Sequence, residues 1–325
     1  MTGRRAGRLV LVWPLLSVRA AGARKLASLG CPVSQYSDAL IEASTEASKQ
    51  LRGAWDSVVA AVKPDLAWLP RVREDAAIAP LMHELGALAA QRMEAPYIDL
   101  SCTPDFDAYM LRRSAQARKK HRAAERRLAK MDARFVELAA SESASALAAA
   151  SIDMKQRQLA ERGLVSPAFS DPSLRKFFAD AARGGAHRRE RRSSGSKSTE
   201  RAPPRTSCSA AATAWWVTSL PYDSRFAKDS VGAHVLHHTI KQAIAGGYQT
   251  FDLLSPADEY KMRCADGTVG VVSWAVPLSA KGTAFARIYL MLARPLLKAA
   301  VELLPARLRS ALARAYYGRI RAQSR

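Results

Sequence analysis

The sequence predicts an α/β (α+β) protein, and three observations carry that prediction. Short strand-like apolar runs alternate along the chain with longer segments of helical period. Residues that start and stop helices stand at the ends of the helical segments. Hydrophobic residues make up 48% of the 325, enough for one large core or two smaller ones.

Strands are expected at Leu9 to Leu15, Leu66 to Leu69, Tyr97 to Leu100, Phe135 to Leu138, Trp215 to Leu220, Thr250 to Leu254 and Val269 to Val276. Helices are expected at about Ala43 to Val62, Ala76 to Met93, Phe106 to Met131, Ala144 to Arg162, Pro172 to Ala182 and Gly232 to Ala245, with two more near the C-terminus. Thr103 or Asp105 is placed to cap the third helix, Asp171-Pro172 to open the fifth, and Gly163 to close the fourth. Arg4 and Arg5 before the apolar run Leu9 to Val18 imitate a secretory leader, but Pro14 and Arg19 interrupt it and a buried strand is the competing reading. Ala286 to Leu304 comes nearest to a membrane span, and Arg294, Pro295, Lys298 and Glu302 exclude it as an ordinary one.

From His187 to Thr213 the chain is rich in Arg, Ser, Pro and Ala without apolar period, the composition of a disordered basic linker. So long a linker inside a compact domain is itself anomalous. Back-translated with GC-rich codons and read two nucleotides out of frame, Arg192 to Leu220 becomes three strand-like runs joined by Asp-Gly and Gly-Gly turns. Compensating frameshifts, one between about Gly185 and Arg192 and one just before Tyr222, are therefore the alternative expectation.

The net charge of +21 is local. Arg112 to Lys130 carries nine Lys or Arg against Glu125 alone, and Lys281 to Arg325 carries ten against Glu302. Such patches attract nucleic acid, anionic lipid or phosphorylated ligands. Nucleic acid is the weakest of the three, since no helix-turn-helix, zinc finger or aromatic-studded strand is present. The C-terminal run Phe285 to Arg321 mixes apolar and basic residues, as a helix on an anionic membrane surface does, although such helices more often pack on their own domain. The four cysteines form no CxxC pair, which suits reduced thiols in the cytoplasm. His234 and His238 share a helix face at i, i+4, but Val235 follows His234 where a metalloprotease motif has Glu, and no metal is expected.

Two stretches carry a family resemblance. Pro96-Tyr97-Ile98-Asp99-Leu100-Ser101 precedes a helix with Ser114, Arg118, Lys119, Arg122, Arg126, Arg127 and Leu128 in an S-x-x-x-R-K-x-x-R-x-x-x-R-R-L pattern. Tyr222-Asp223-Ser224-Arg225-Phe226 leads to Ser230-Val231-Gly232, a helix, Phe251-Asp252-Leu253-Leu254 and Glu259-Tyr260-Lys261-Met262-Arg263. Together these resemble the GNAT-type acetyltransferases associated with cellulose and exopolysaccharide biosynthesis, relatives of the Fem peptidyltransferases. His121 stands where that pattern commonly has an apolar residue.

The resemblance implies a GNAT-like acyltransferase fold, a mixed twisted sheet flanked by helices. It implies a tandem-GNAT remnant over 1–100 that begins partway through its half, an acetyltransferase domain over 101–277, and a basic amphipathic helical tail over 278–325. Acetyl-CoA or another acyl-CoA is the implied co-substrate, and an amine or hydroxyl of a saccharide-related precursor the implied acceptor. In such folds the helix start at Ser230, Val231 and Gly232 cradles the CoA pyrophosphate, with Arg225 as a charge partner. Helix physics alone makes the same turn either an anion site or an ordinary N-cap. Arg118, Lys119, Arg122 and Tyr222 are the candidates for a substrate or phosphate. Asp252, on an otherwise apolar strand, is placed as a general base or as an ion-pair partner of Lys261 or Arg263. Tyr260 and Lys261 are candidate donors to the leaving thiolate, the alternatives being a packed tyrosine and a surface charge. Two other outcomes stay open: an impaired GNAT-like protein from a damaged gene, and a basic nucleic-acid-binding protein.

Overall fold

A computed structural model describes residues 1–20, 22–130, 141–184, 208–209 and 231–323. The expected strands Phe135 to Leu138 and Trp215 to Leu220, and nearly all of the basic segment His187 to Thr213, lie outside those residues. The chain divides into two compact units. One comprises Met1–Pro96, Ser255–Glu259 and Thr268–Leu304, the other Tyr97–Leu254, Tyr260–Gly267 and Pro305–Arg325.

In the first unit, strands β1 (Thr2–Arg5), β2 (Arg8–Val12) and β5 (Leu40–Ile41) form a small antiparallel sheet. A larger mixed sheet runs β3 (Leu15–Ala20), β4 (Ala23–Ser28), β6 (Leu66–Arg73), β10 (Gly267–Pro277) and β7 (Leu88–Asp99). Its β4–β6 pair is parallel, with Lys25 opposite Leu66, while β3–β4 and β6–β10 are antiparallel. Helix Ala47–Val62 buries Leu51, Ala54 and Trp55, one stripe at i, i+3, i+4. That stripe packs with Leu11, Trp13, Leu69, Met82 and Trp274 in one core, and the Trp13 and Trp55 rings lie 5.9 Å apart.

Two expectations need correction here. The apolar run Leu9 to Leu15 is two strands in two sheets, because Trp13-Pro14 breaks it and a proline has no N–H to continue a ladder. The helix expected over Ala76 to Met93 lasts only from Ala79 to Glu84. Gly86, at φ +59°, turns the chain out of it, and the Ala-rich stretch beyond becomes β7. Pairing in a sheet overrides the helical propensity of Leu88-Ala89-Ala90.

In the second unit the last residues of β7 pair antiparallel with β9 (Thr250–Asp252), Tyr97 opposite Asp252, and β9 pairs parallel with β8 (Cys208–Ser209). The single helix expected over Phe106 to Met131 is two, Phe106–Leu111 and Ala115–Lys130. Asp105 caps the first by accepting from Ala108 N, and Ser114 Oγ accepts from Ala117 N at the start of the second. Helix Glu142–Glu161 packs against both Ser173–Gly184 and Ala306–Gln323. Tyr317, fully buried, accepts a hydrogen bond from Ser166 N at 2.8 Å. At Gly163, φ +67°, a Cβ would stand 2.7 Å from Arg309 Cβ, so the helix closure and the docking of Ala306–Gln323 need the same glycine.

Candidate functional site

Helix Val231–Ala245 fixes the start of the site. Its first-turn N–H groups are ones the helix itself does not use, and the positive end of its dipole lies there. A Cβ on Gly232 would meet nothing within 4 Å among the described residues. The open side of Gly232 thus fits close approach of a phosphate to the backbone. Val231 begins the helix, while Ser230, Arg225 and Tyr222 lie outside the described residues.

The helix is followed by β9, and Phe251 and Asp252 in it and Leu253 and Leu254 just after it are all buried. Asp252, 6% exposed, accepts from Leu254 N at 2.7 Å through Oδ1. Lys261, 4% exposed, donates from Nζ to Leu254 O at 2.9 Å. Two of the three residues proposed for catalysis therefore hold the backbone of one residue, Leu254, at its N–H and at its C=O. Leu254 itself sits at φ +64°, a left-handed backbone that costs a leucine about 1 kcal/mol or more. The surface-charge alternative for Lys261 is overturned by its burial. Tyr260, the third candidate, is half exposed, with its ring 6.0 Å from Lys261 Nζ.

The basic helix divides its residues between scaffold and surface. Arg118 Nη1 donates to Arg113 O at 2.6 Å and Leu111 O at 3.2 Å, tying off the preceding helix. Lys119 and Arg122 are exposed. Just upstream, Arg113 stacks its guanidinium 4.9 Å above the Tyr109 ring, donates to Cys264 O at 2.8 Å and pairs with Asp266. Asp266 also accepts from Asp99 N at 3.0 Å and lies 3.4 Å from Arg112. Its own N–H donates to Tyr97 O, so this carboxylate ties β7 to the segment that carries Lys261. Burial, and then the neighbouring Cys264 thiol, push the Tyr109 hydroxyl upward in pKa. Asp266 escaped the sequence reading. The available signal was an acidic residue directly before Gly267, where a Cβ would stand 2.7 Å from Tyr97 Oη.

The histidines form a group that no single helix reveals. His121, on Ala115–Lys130, meets His237 with 2.9 Å between the two Nδ1 atoms, stacks on His234 at 5.9 Å, and reaches Glu125 at 3.3 Å through Nε2. Phe106 closes one side, 5.6 Å from the His121 ring and 6.0 Å from that of His237. Burial, then His121 and His234, push His237 down to about 4. His121 thus serves as a part-buried contact between two helices. Among the described residues no group of three or more His, Cys, Asp or Glu is placed to hold a metal ion.

A family model described as an acetyltransferase (GNAT) domain matches residues 208–262. The match contains β8, the Gly232 helix, β9 and Lys261, and it supports the GNAT superfamily over that stretch. The mixed α/β architecture with helices flanking the strands is consistent with a GNAT-like fold. Domains of this kind transfer acyl groups and generally take them from acyl-CoA. No curated protein and no solved structure matches the chain.

Proposed function

We propose that the chain is an acyl-CoA-dependent acyltransferase of the Fem-like, exopolysaccharide-associated type. It transfers an acyl group, acetyl in the simplest case, to an amine or hydroxyl of a saccharide-related envelope precursor. It works in the cytoplasm with its basic tail against the membrane. The observation that carries this reading is the GNAT match over 208–262, because that stretch contains the open Gly232 and the buried Asp252–Leu254–Lys261 arrangement.

In this reading Ser230, Val231, Gly232 and Arg225 hold the CoA pyrophosphate, and Lys119, Arg122 and Tyr222 face the acceptor or its phosphate. Arg118 acts through the helix junction that it ties. The acceptor nitrogen or oxygen forms a bond to the thioester carbonyl carbon, the C–S bond breaks, and CoA leaves as thiolate. Asp252 takes the acceptor's proton, directly or through water, and Tyr260 donates to the departing sulfur. Lys261 positions the Leu254 turn. The remaining boundaries follow the same reading, with a tandem remnant over 1–100, the acetyltransferase domain over 101–277 and a basic helical tail over 278–325.

Thiol release from acetyl-CoA with amino sugars and nucleotide-linked amino sugars as acceptors tests the proposal. Release that needs the acceptor and falls by about 10²-fold or more in Asp252→Asn is expected. A second reading, an impaired enzyme from a damaged gene, rests on the Arg, Ser, Pro and Ala rich composition of His187 to Thr213, although the family match reaches back to residue 208 in the present frame. Release from a frame-repaired chain alone would establish that reading, and release from neither chain would remove both.

A further inference from the structure

The helical run that starts at Ala280 passes through a π-helical stretch, Phe285–Ala293, and continues as Arg294–Leu303. Its first part is anchored in the first unit. Ala286 and Leu290 pack with Leu66 and Ala275, and Lys25 sits 5.0 Å over the Phe285 ring. Its second part is different, because every residue from Arg294 to Leu303 is exposed.

That exposure is segregated. At 100° per residue, Arg294, Lys298 and Glu302, at i, i+4 and i+8, fall within about 80° of one another on one side. Leu296, Leu297, Ala299, Ala300, Val301 and Leu303 occupy the remaining arc. Leu296 is 68% exposed, Leu297 61% and Leu303 87%. A soluble helix with no core contact has no reason to gather its leucines on one side, since water penalises the patch wherever it lies. The helix also does not cross a bilayer: no helix among the described residues is long and apolar enough to do so.

The charges select the occupant. Arg294 and Lys298 border the apolar arc against Glu302 alone, which Lys298 meets at 3.9 Å, and the whole chain carries +21. A second copy would bring the same excess positive charge to the face, whereas an anionic lipid surface complements it. We propose that Arg294–Leu303 lies in the surface of an anionic bilayer. Leu296, Leu297, Val301 and Leu303 enter the acyl-chain boundary, and Arg294 and Lys298 stand at the phosphates of the headgroups. The inference rests on the peripheral placement proposed above and needs no acyl transfer, so each can fail alone.

Flotation of the full chain with vesicles tests it, comparing phosphatidylcholine alone with mixtures containing roughly a third phosphatidylglycerol. The expected result is binding to the mixed vesicles that falls about tenfold or more in the Leu296→Ser/Leu297→Ser variant. Since both side chains are exposed, the variant should keep the wild-type circular dichroism. In a Leu303→Trp variant, added vesicles should shift the indole emission to the blue, and brominated acyl chains should quench it. Binding unchanged in the serine variant would reduce the interaction to charge alone and overturn the proposal. So would failure to float, or a dimer in sedimentation velocity that the serine variant dissolves.

Discussion

The two stretches that carry the family resemblance bury different kinds of polar residue. In the helical pair Phe106–Lys130 the motif cations are spent near its start and spared further on. Arg113 is 10% exposed at its side chain and bound to Asp266, and Arg118 is committed to two carbonyls, while Lys119 and Arg122 face water. In the stretch from Val231 to Lys261, Asp252 and Lys261 turn inward and bind the N–H and the C=O of Leu254, while Tyr260 stays half exposed. A motif therefore mixes scaffold with ligand-facing groups. Burial and partner identity separate them where spacing cannot.

The largest effect should come from the scaffold side. Arg113→Ala removes the ion pair to Asp266, the hydrogen bond to Cys264 O and the contact with the Tyr109 ring, leaving Asp266 with Arg112 at 3.4 Å, and together these losses should cost about 3 kcal/mol. Urea unfolding should show a lower midpoint, while Lys119→Ala and Arg122→Ala should leave that midpoint in place and affect acceptor binding instead. An Arg113→Ala midpoint equal to that of Lys119→Ala would erase the distinction between the two sets of cations.

The histidine contact predicts a pH dependence of similar size. His237 titrates near 4 in the folded chain against an ordinary 6.5, so the unfolded chain binds more protons between those values. Stability is complete above about pH 6.5 and should fall by about 3 kcal/mol as the pH drops to 4. His237→Phe should flatten this slope in urea titrations repeated across the range. An unchanged slope would move the effect to other groups.

Next comes the Leu254 clamp. Lys261→Met removes a charged donor from a buried carbonyl and should cost about 2 kcal/mol in thermal or urea unfolding. The smallest expected stability effect is that of Gly232→Ala, whose added Cβ would meet nothing within 4 Å among the described residues. It should unfold with the wild type yet bind CoA about tenfold more weakly, because the methyl group intrudes on the phosphate.

Most of the local architecture was legible where a residue type has a mechanism. Asp105 and Gly163 acted as their chemistry requires, and the helix expected over Ala43 to Val62 forms from Ala47 to Val62. The Ala-rich stretch before Tyr97 misled, because helical propensity there yields to a place in a sheet set by β10, distant in sequence. The site followed the same rule. Gly232 at a helix start was readable from its neighbours, whereas Asp266 and the His121–His237 contact depend on partners more than 100 positions away.

The central claim, a CoA site at the start of helix Val231–Ala245, is tested most directly by titrating acetyl-CoA into the purified full chain by calorimetry. Saturable binding at one site, weakened about tenfold in Gly232→Ala without loss of fold, is the predicted result. Absence of binding heat from a chain with intact circular dichroism, or equal affinity in the alanine variant, would contradict it.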